Sequence, residues 1–199
     1  MEDKYLIPIA VLVAAILIGG ALVYTKLSPS QQTAKIAPTQ DQTQDQNNNQ
    51  TQPAVNTDKL ASGIPGVSSF YVKDAKEICK QDGKPVIYLF STTWCPHCKW
   101  VINIFDKVAK EYVAQGKIIA YHWELDTNDD TLTSAVEASV PAEAQAVYKE
   151  FNPEGSIPTF AFGCKYYRVG NGPGREAAND LAGEEAELRA LFDYLVSQK

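Results

Sequence analysis

The sequence predicts an α/β domain in which helices cover both faces of a mixed sheet, preceded by a transmembrane helix and a disordered linker. Apolar runs alternate with helical periodicity in the C-terminal two thirds of the 199 residues, which is typical of such a sheet. An almost wholly apolar stretch and a Gln-, Asn- and Thr-rich stretch precede them. We divide the chain into a short tail (1–4), a transmembrane helix (5–25), a linker (26–66) and a folded domain (67–199).

The apolar stretch is long enough to cross a membrane, because about 20 apolar residues span a hydrocarbon core of roughly 30 Å. Lys4 and Lys26 flank it, and Tyr5 and Tyr24 stand where interfacial aromatic residues occur. A cleaved signal peptide is the alternative, with the small residues 19–21 as a poor cleavage site. We favour an uncleaved signal-anchor helix.

The linker lacks the residues that build a core. No aromatic residue lies between Tyr24 and Phe70, so the segment cannot bury enough apolar surface to offset its loss of conformational entropy. We expect a stalk that holds the folded domain away from the bilayer, or a filler with no length requirement. The net charge of −6 and the absence of a basic cluster in the sequence argue against a nucleic-acid partner.

The first half of the folded domain contains three predicted elements. Val72, Ala75, Ile78 and Cys79 form a helical stripe that ends at 82–83 (Asp-Gly), which predicts a short first helix. The second element is an apolar strand at 86–90 that is buried on both faces. The third is an amphipathic helix at 96–115 that stops at Gly116.

The second half repeats the alternation. A strand, a helix and a hairpin are predicted at 118–125, 142–151 and 159–169, with the hairpin turning at 163–165. A C-terminal helix follows from the spacing of four apolar residues, Leu188, Leu191, Phe192 and Leu195. Its acidic start suits the helix dipole through Glu184, Glu185 and Glu187. The predicted order is α-β-α-β-α-β-β-α.

The sequence Trp94-Cys95-Pro96-His97-Cys98 places two thiols at the start of the predicted helix 96–115. Unpaired backbone N–H groups and the helix dipole favour the thiolate of Cys95 there. Cys98, one turn away, can close a disulfide with it. We expect Cys95 to be an exposed nucleophile and Cys98 a buried resolving thiol. A static structural disulfide is the alternative.

A metal or haem role for these cysteines is disfavoured. Zinc normally takes four protein ligands, and the sequence has neither a second CxxC nor a His-x-His cluster. Lys99 follows Cys98, where attachment of a c-type haem requires histidine. We therefore predict no metal and no cofactor, because the sulfur atoms themselves carry the electrons.

The motif around Cys95, together with Ser156-Ile157-Pro158-Thr159-Phe160 before the predicted hairpin, resembles the thioredoxin family over essentially all of 67–199. The resemblance implies a thioredoxin-like fold in which Pro158 is cis and lies against the CxxC. It also implies that the backbone of Ile157 pairs with an extended substrate chain. Trp94 would be an aromatic contact surface, whereas Trp100 and Trp123 would be core or rim residues.

The signals for redox direction conflict. Pro96 and His97 between the cysteines resemble DsbA-type oxidases, and His97 can stabilise the thiolate, which makes a disulfide more oxidising. A solvated loop role for His97 is the alternative. By contrast, Ile157 and Thr159 around the proline resemble reducing thioredoxins.

Two further differences concern proton transfer and substrate choice. Leu89 replaces the buried acid that thioredoxins place six residues before the first cysteine. His122 could transfer the proton in its place, but a histidine in a strand is more often a packing residue, and we favour that role. The span 126–158 is longer than the same span of a minimal thioredoxin. We therefore expect 127–141 to be an extra loop or helix that shapes substrate choice, or a neutral insertion.

In the topology that the resemblance implies, Cys79 and Cys164 lie together at the pole opposite the CxxC. A bridge between them, closing a loop of 85 residues (164 − 79), would stabilise the fold by about 4–5 kcal/mol on the chain-entropy model. Such a bridge would fit an oxidising, extracytoplasmic setting. The alternative is one buried thiol and one unrelated turn thiol.

The sequence thus predicts a monomeric, single-pass cell-membrane protein whose extracytoplasmic domain exchanges disulfides with cysteines of secreted or envelope proteins. The oxidase or isomerase direction is slightly favoured. A tethered reductase, such as one of cytochrome maturation, and a non-catalytic thioredoxin-fold binding module are the alternatives. An enzyme would also need a membrane redox partner that resets Cys95 and Cys98, because each exchange leaves them in the wrong state for the next.

Overall fold

A computed structural model describes residues 58–198. The described strands and helices are, in chain order, β1 (Lys59–Leu60), β2 (Tyr71–Val72), β3 (Lys80–Gln81), β4 (Lys84–Ser91), α1 (Pro96–Ala114), β5 (Ile119–Glu124), β6 (Asp129–Asp130), α2 (Ala142–Phe151), β7 (Thr159–Phe162), β8 (Tyr166–Val169) and α3 (Leu181–Ser197). The predicted transmembrane helix 5–25 lies outside the described residues. Within the described residues, none of the helices combines the length and the apolar character that crossing a membrane requires.

The strands form one mixed sheet in the order β1-β2-β8-β7-β4-β5-β6, and β3 pairs with the start of β4. The pairing of β4 with β5 is parallel, whereas β4 pairs antiparallel with β7. Leu89 on the central strand β4 therefore stands between His122 of β5 and Phe160 of β7. This confirms the predicted mixed sheet.

Helices cover both faces of the sheet, as predicted. Ile87 and Leu89 of β4 contribute to the cluster that contains α1 and α3, where Phe105, Phe162 and Phe192 pack ring against ring. Phe90, which points the other way, belongs to a second cluster with α2. Because side chains alternate along a strand, a continuous apolar run is needed when both faces are buried.

Two helix boundaries have clear local causes. Cys95 caps α1, since its side chain accepts a hydrogen bond from the N–H of Cys98, and Pro96 occupies the first turn, where a missing N–H costs nothing. At the other end Gly116 adopts a φ of +67° and its N–H bonds the carbonyl of Val113 at 2.8 Å. The glycine stop was predicted correctly.

The predicted first helix is wrong. The segment forms the short strands β2 and β3 instead, and Asp82 and Gly83 are the turn of a hairpin between β3 and β4. Both turn residues have positive φ values, 51° and 75°, as a two-residue type I′ connection requires. Apolar residues recur at helical intervals there, but the Asp-Gly pair dominates the local structure.

Two regions are more ordered than the sequence suggested. The folded region begins before the expected boundary at residue 67, since β1 pairs with β2 and both Ala61 and Ile64 are buried in the core. The expected insertion 127–141 contains the strand β6, which extends the sheet beyond β5.

Cys79 and Cys164 form a disulfide with a Cα–Cα distance of 5.4 Å. The N–H of Cys79 also bonds the carbonyl of Gly163 in the β7–β8 turn at 2.8 Å. This bridge lies near the start of β4, whereas the CxxC follows its end, so a strand of eight residues, about 25 Å long, separates the two cysteine pairs.

Candidate active site

Cys95 and Cys98 are both present as thiols at the start of α1. The N–H of Cys98 donates to the Cys95 sulfur at 3.3 Å, and that sulfur lies 3.9 Å from the carbonyl oxygen of Ile157. Cys95 is only 3% exposed, so the expectation of an exposed nucleophile is wrong. Its sulfur turns toward Ile157 and the helix terminus and away from solvent.

Cys98 is fully buried. Burial, together with the hydrogen bond to Cys95, raises the pKa of the Cys98 thiol to about 12, although the backbone N–H of Thr92 acts in the opposite direction. Because the thiolate is the reactive form, Cys98 is inert at neutral pH until something removes its proton. The two thiols are thus chemically distinct.

The segment opposite Cys95 is held in a fixed conformation. The peptide bond between Ile157 and Pro158 is cis, and the carbonyl of Pro158 accepts a hydrogen bond from the N–H of Gly170 at 2.8 Å. The hydroxyl of Thr159 donates to the carbonyl of Ser156 and accepts from the side chain of Asn152, both at 2.7 Å. The structure thus brings Cys95, Ile157 and Pro158 together.

Trp94 is 67% exposed beside Cys95. The preceding turn is fastened through Thr93, whose N–H and hydroxyl donate to the carboxylate of Asp126 at 3.0 and 2.5 Å. These hydrogen bonds lower the pKa of Asp126. Trp100 donates from its indole to Asn179 at 3.1 Å, and Trp123 lies in the core cluster beside α2.

His97 contacts a loop that the sequence did not single out. Its Nδ1 lies 2.9 Å from both carboxylate oxygens of Glu176. Asn171 donates to the backbone carbonyl of His97 at 3.0 Å and to Glu176 at 2.7 Å. The hydrogen bond from Asn171, followed by that of His97, lowers the pKa of Glu176. Glu176 lies 79 residues from His97, so no local pattern could reveal the pair.

The same loop is attached to a buried charged cluster formed by Arg168, Arg175, Glu184 and Glu187. Arg175 bonds Glu187 at 2.5 Å and Glu184 at 3.2 Å, and Glu184 also accepts from the N–H of Gly172. Arg168 pairs with Glu184. The two glutamates were interpreted as dipole-stabilising residues, yet both are almost fully buried. Their helical spacing with Leu188 and Leu191 could have revealed this.

His122 is buried with every side-chain nitrogen in use. Its Nε2 lies 2.7 Å from the hydroxyl of Ser91, and its Nδ1 lies 2.7 Å from both Asp106 and Thr131. Leu89 is fully buried in the apolar core. It occupies the position at which the resemblance implies a buried acid. Ser91 and Asp106 are partners that the sequence analysis missed.

An open groove of about 530 Å³ runs along the loop that carries Glu176. Its lining includes His97, Asn171, Pro173 and Glu176. Among residues 58–198, no three metal-ligating side chains converge on one point. The groove reaches the CxxC through His97, which lies between the two thiols in the sequence.

Comparison with known proteins gives a family match for part of the chain. Residues 69–144 match the family described as Thioredoxin. This segment includes both CxxC cysteines and the strands β4 and β5, whereas Pro158 and α3 lie beyond it. The mixed sheet and its helices are consistent with the thioredoxin-like fold predicted from the sequence.

Three relatives are similar to parts of this chain. Thioredoxin of Pseudomonas aeruginosa is 36% identical over 56 residues, which are 28% of this chain and 49% of that protein. Thioredoxin H4 of Arabidopsis thaliana is 29% identical over 83 residues, 42% of this chain and 54% of that protein. Bloodstream-specific protein 2 of Trypanosoma brucei brucei is 42% identical over 53 residues, 27% of this chain and 10% of that protein. The matched segments thus span about half or less of these relatives' own lengths.

Proposed function

We propose that the protein is a membrane-tethered, extracytoplasmic thiol–disulfide oxidoreductase that exchanges disulfides with cysteines of secreted or envelope proteins. The observation that carries the proposal is the asymmetric pair at the start of α1. Cys95 is at the helix N-cap against Ile157, and Cys98 is buried one turn below it. The thioredoxin match over residues 69–144 supports the same chemistry.

In the oxidising direction, a substrate thiolate attacks the sulfur of Cys95 in the Cys95–Cys98 disulfide. The bond between the two cysteines breaks, and Cys98 leaves with the electron pair and takes a proton. A second substrate thiolate then attacks the substrate sulfur of the mixed disulfide, and Cys95 leaves as a thiolate. The substrate loses two electrons and two protons, and the CxxC gains the electrons.

The environments of the two sulfurs stabilise the reduced pair. Helix N-terminal N–H groups stabilise the thiolate of a leaving Cys95. The high pKa of Cys98 means that this sulfur holds its proton firmly once reduced. The reduced pair therefore does not revert easily, and a redox partner in the membrane must reoxidise it for the next turnover.

Two features of the chain support a membrane-bound, extracytoplasmic setting. The apolar segment 5–25 would tether the domain near its redox partner, and the Cys79–Cys164 bridge favours an oxidising compartment. A tethered reductase is the second candidate, favoured by Ile157 and Thr159 around the cis proline.

Single-cysteine variants test the proposal. Cys98→Ser should trap a mixed disulfide between Cys95 and a peptide that carries one disulfide, because the resolving thiol is missing. Cys95→Ser should trap none, and a Cys79→Ser, Cys164→Ser double variant should exchange as the unmodified chain does. A stable Cys95–Cys98 disulfide that never exchanges with peptide or glutathione would instead indicate a non-catalytic binding module.

A further inference from the structure

Glu176 belongs to the segment of chain between β8 and α3, which contacts the active site. The carboxylate lies 2.9 Å from Nδ1 of His97, the residue between the two cysteines. Asn171 holds both partners, since its amide donates to the His97 carbonyl and to the Glu176 carboxylate. His97, Asn171 and Glu176 thus form a three-residue hydrogen-bonded cluster, and the second set of bonds fixes the geometry of the contact between His97 and Glu176.

The loop that contributes Asn171 and Glu176 to this three-residue cluster is bonded to the buried charged cluster at the start of α3. The N–H of Gly172 and the guanidinium of Arg175 bond Glu184, and Arg175 also bonds Glu187. Glu184 and Glu187 are 0% and 1% exposed, so water does not compete for the hydrogen bonds that they accept from the loop. A β-carbon on Gly172 would approach Arg175 and Glu184 within 2.8 Å, which shows how closely the loop sits on the cluster.

We propose that Glu176 is a positioning residue that acts through His97 to raise the reduction potential of the Cys95/Cys98 pair. This inference rests on the proposed function. When the imidazole is protonated on both nitrogens, the carboxylate 2.9 Å from Nδ1 holds that positive charge beside the first turn of α1. A positive charge in the first turn of α1 stabilises the Cys95 thiolate, and a stabilised reduced form makes the disulfide a stronger oxidant.

The carboxylate also has an opposite effect. Its own negative charge repels the Cys95 thiolate directly, which would lower the potential. Because Glu176 is bonded directly to the imidazole, we expect the effect through His97 to be the larger of the two. Removing His97 leaves the direct repulsion alone, and the two contributions can therefore be separated.

The test is a double-mutant cycle on the full-length chain, equilibrated in glutathione redox buffers. Alkylation and mass spectrometry then give the oxidised fraction of Cys95 and Cys98. The variants are Glu176→Gln, His97→Ala and their combination. Glu185→Gln is the matched control, because it removes the same charge from another ion-paired surface glutamate, bonded to Lys107 and Arg189.

We expect Glu176→Gln to shift the equilibrium with glutathione about threefold toward the disulfide, as suits one partly exposed charge contact. For a two-electron couple this is about 14 mV toward a more reducing potential. Asn171→Ser, which frees Glu176 from its second partner, should shift it in the same direction. The effect of Glu176→Gln should vanish or change sign in the His97→Ala background, and Glu185→Gln should leave the potential unchanged.

Two results would overturn the inference while leaving the proposed function intact. One is a Glu176→Gln potential equal to that of Glu185→Gln, and the other is an equal shift with and without His97. A CxxC that does not exchange with glutathione in any variant would overturn both the inference and the proposed function.

Discussion

The two sulfurs of the CxxC are both shielded from solvent, and the thiol of Cys98 has a strongly raised pKa. Cys95 is 3% exposed and Cys98 is fully buried, so accessibility alone would barely distinguish them. The pKa of Cys98, raised to about 12 by burial, leaves about one thiolate in 10⁴ at pH 8. The raised pKa of Cys98 therefore disfavours it as the sulfur that attacks the substrate first.

The rates at which a small reagent alkylates the two thiols should show this difference directly. In the reduced chain at pH 8, we expect Cys95 to react at least about 100-fold faster than Cys98, because only the thiolate attacks. Peptide mapping by mass spectrometry over time gives both rates. Equal rates would contradict the assignment of Cys98 as the protonated, resolving thiol.

His122 has the contacts of a structural residue. Its bonds to Ser91, Asp106 and Thr131 use both ring nitrogens, and replacement by leucine leaves those polar partners unsatisfied. We expect His122→Leu to lower the free energy of unfolding by about 2 kcal/mol, measured by urea denaturation. Its rate of disulfide exchange should stay that of the unmodified chain, whereas a tenfold slower exchange would assign His122 to proton transfer.

The helix α3 combines an apolar face with two buried carboxylates. Burial opposes ionisation of Glu187, but the N–H of Ser68, the hydroxyl and N–H of Ser69, and Arg175 outweigh it, and the pKa of Glu187 is lowered. A carboxyl whose folded pKa is depressed stabilises the fold above its unfolded pKa. That stabilisation is lost as the pH falls through the folded value.

We therefore expect the free energy of unfolding to fall when the pH drops below about 4.5, the ordinary value for this carboxyl. Glu187→Gln should lower the free energy of unfolding by about 3 kcal/mol at pH 7, because Arg175 loses a buried partner. It should also make the free energy of unfolding less dependent on pH in the acidic range. Glu185→Gln, which removes a partly exposed carboxylate bonded to Lys107 and Arg189, is the control and should stay within about 1 kcal/mol. Denaturation curves from pH 7 to pH 3 that coincide for all three proteins would contradict this role.

Elements with strong periodicity and clear stops could be predicted from the sequence, and those set by long-range contacts could not. Gly116 ended α1 as expected, and the β7–β8 hairpin formed where its apolar runs predicted. The helix expected around Val72 failed because Asp82 and Gly83 favour a hairpin there. Glu176, Asn171, Ser91 and Asp106 meet their partners only through the fold, so no spacing in the sequence could indicate them.

Taken as a whole, the domain separates a structural cysteine pair from a reactive one. The Cys79–Cys164 bridge closes a loop of 85 residues near the start of β4, and the CxxC follows the end of that strand. The sheet between them is buried on both faces. Loss of the bridge should therefore weaken the fold without altering the chemistry of Cys95 and Cys98.

Replacing both Cys79 and Cys164 by serine should cost about 2–5 kcal/mol of stability, as judged by chemical denaturation. The equilibrium of Cys95 and Cys98 with glutathione should remain within error of that of the unmodified chain. A changed equilibrium at unchanged structure would mean that the two poles of the sheet are coupled.

The reduction potential of the Cys95/Cys98 pair tests the proposed chemistry most directly. The full-length chain, equilibrated in glutathione buffers, should give a value between about −120 and −180 mV, the range of disulfide donors and isomerases. A value near about −270 mV, typical of thioredoxin, would contradict the oxidising direction and make the protein a tethered reductant.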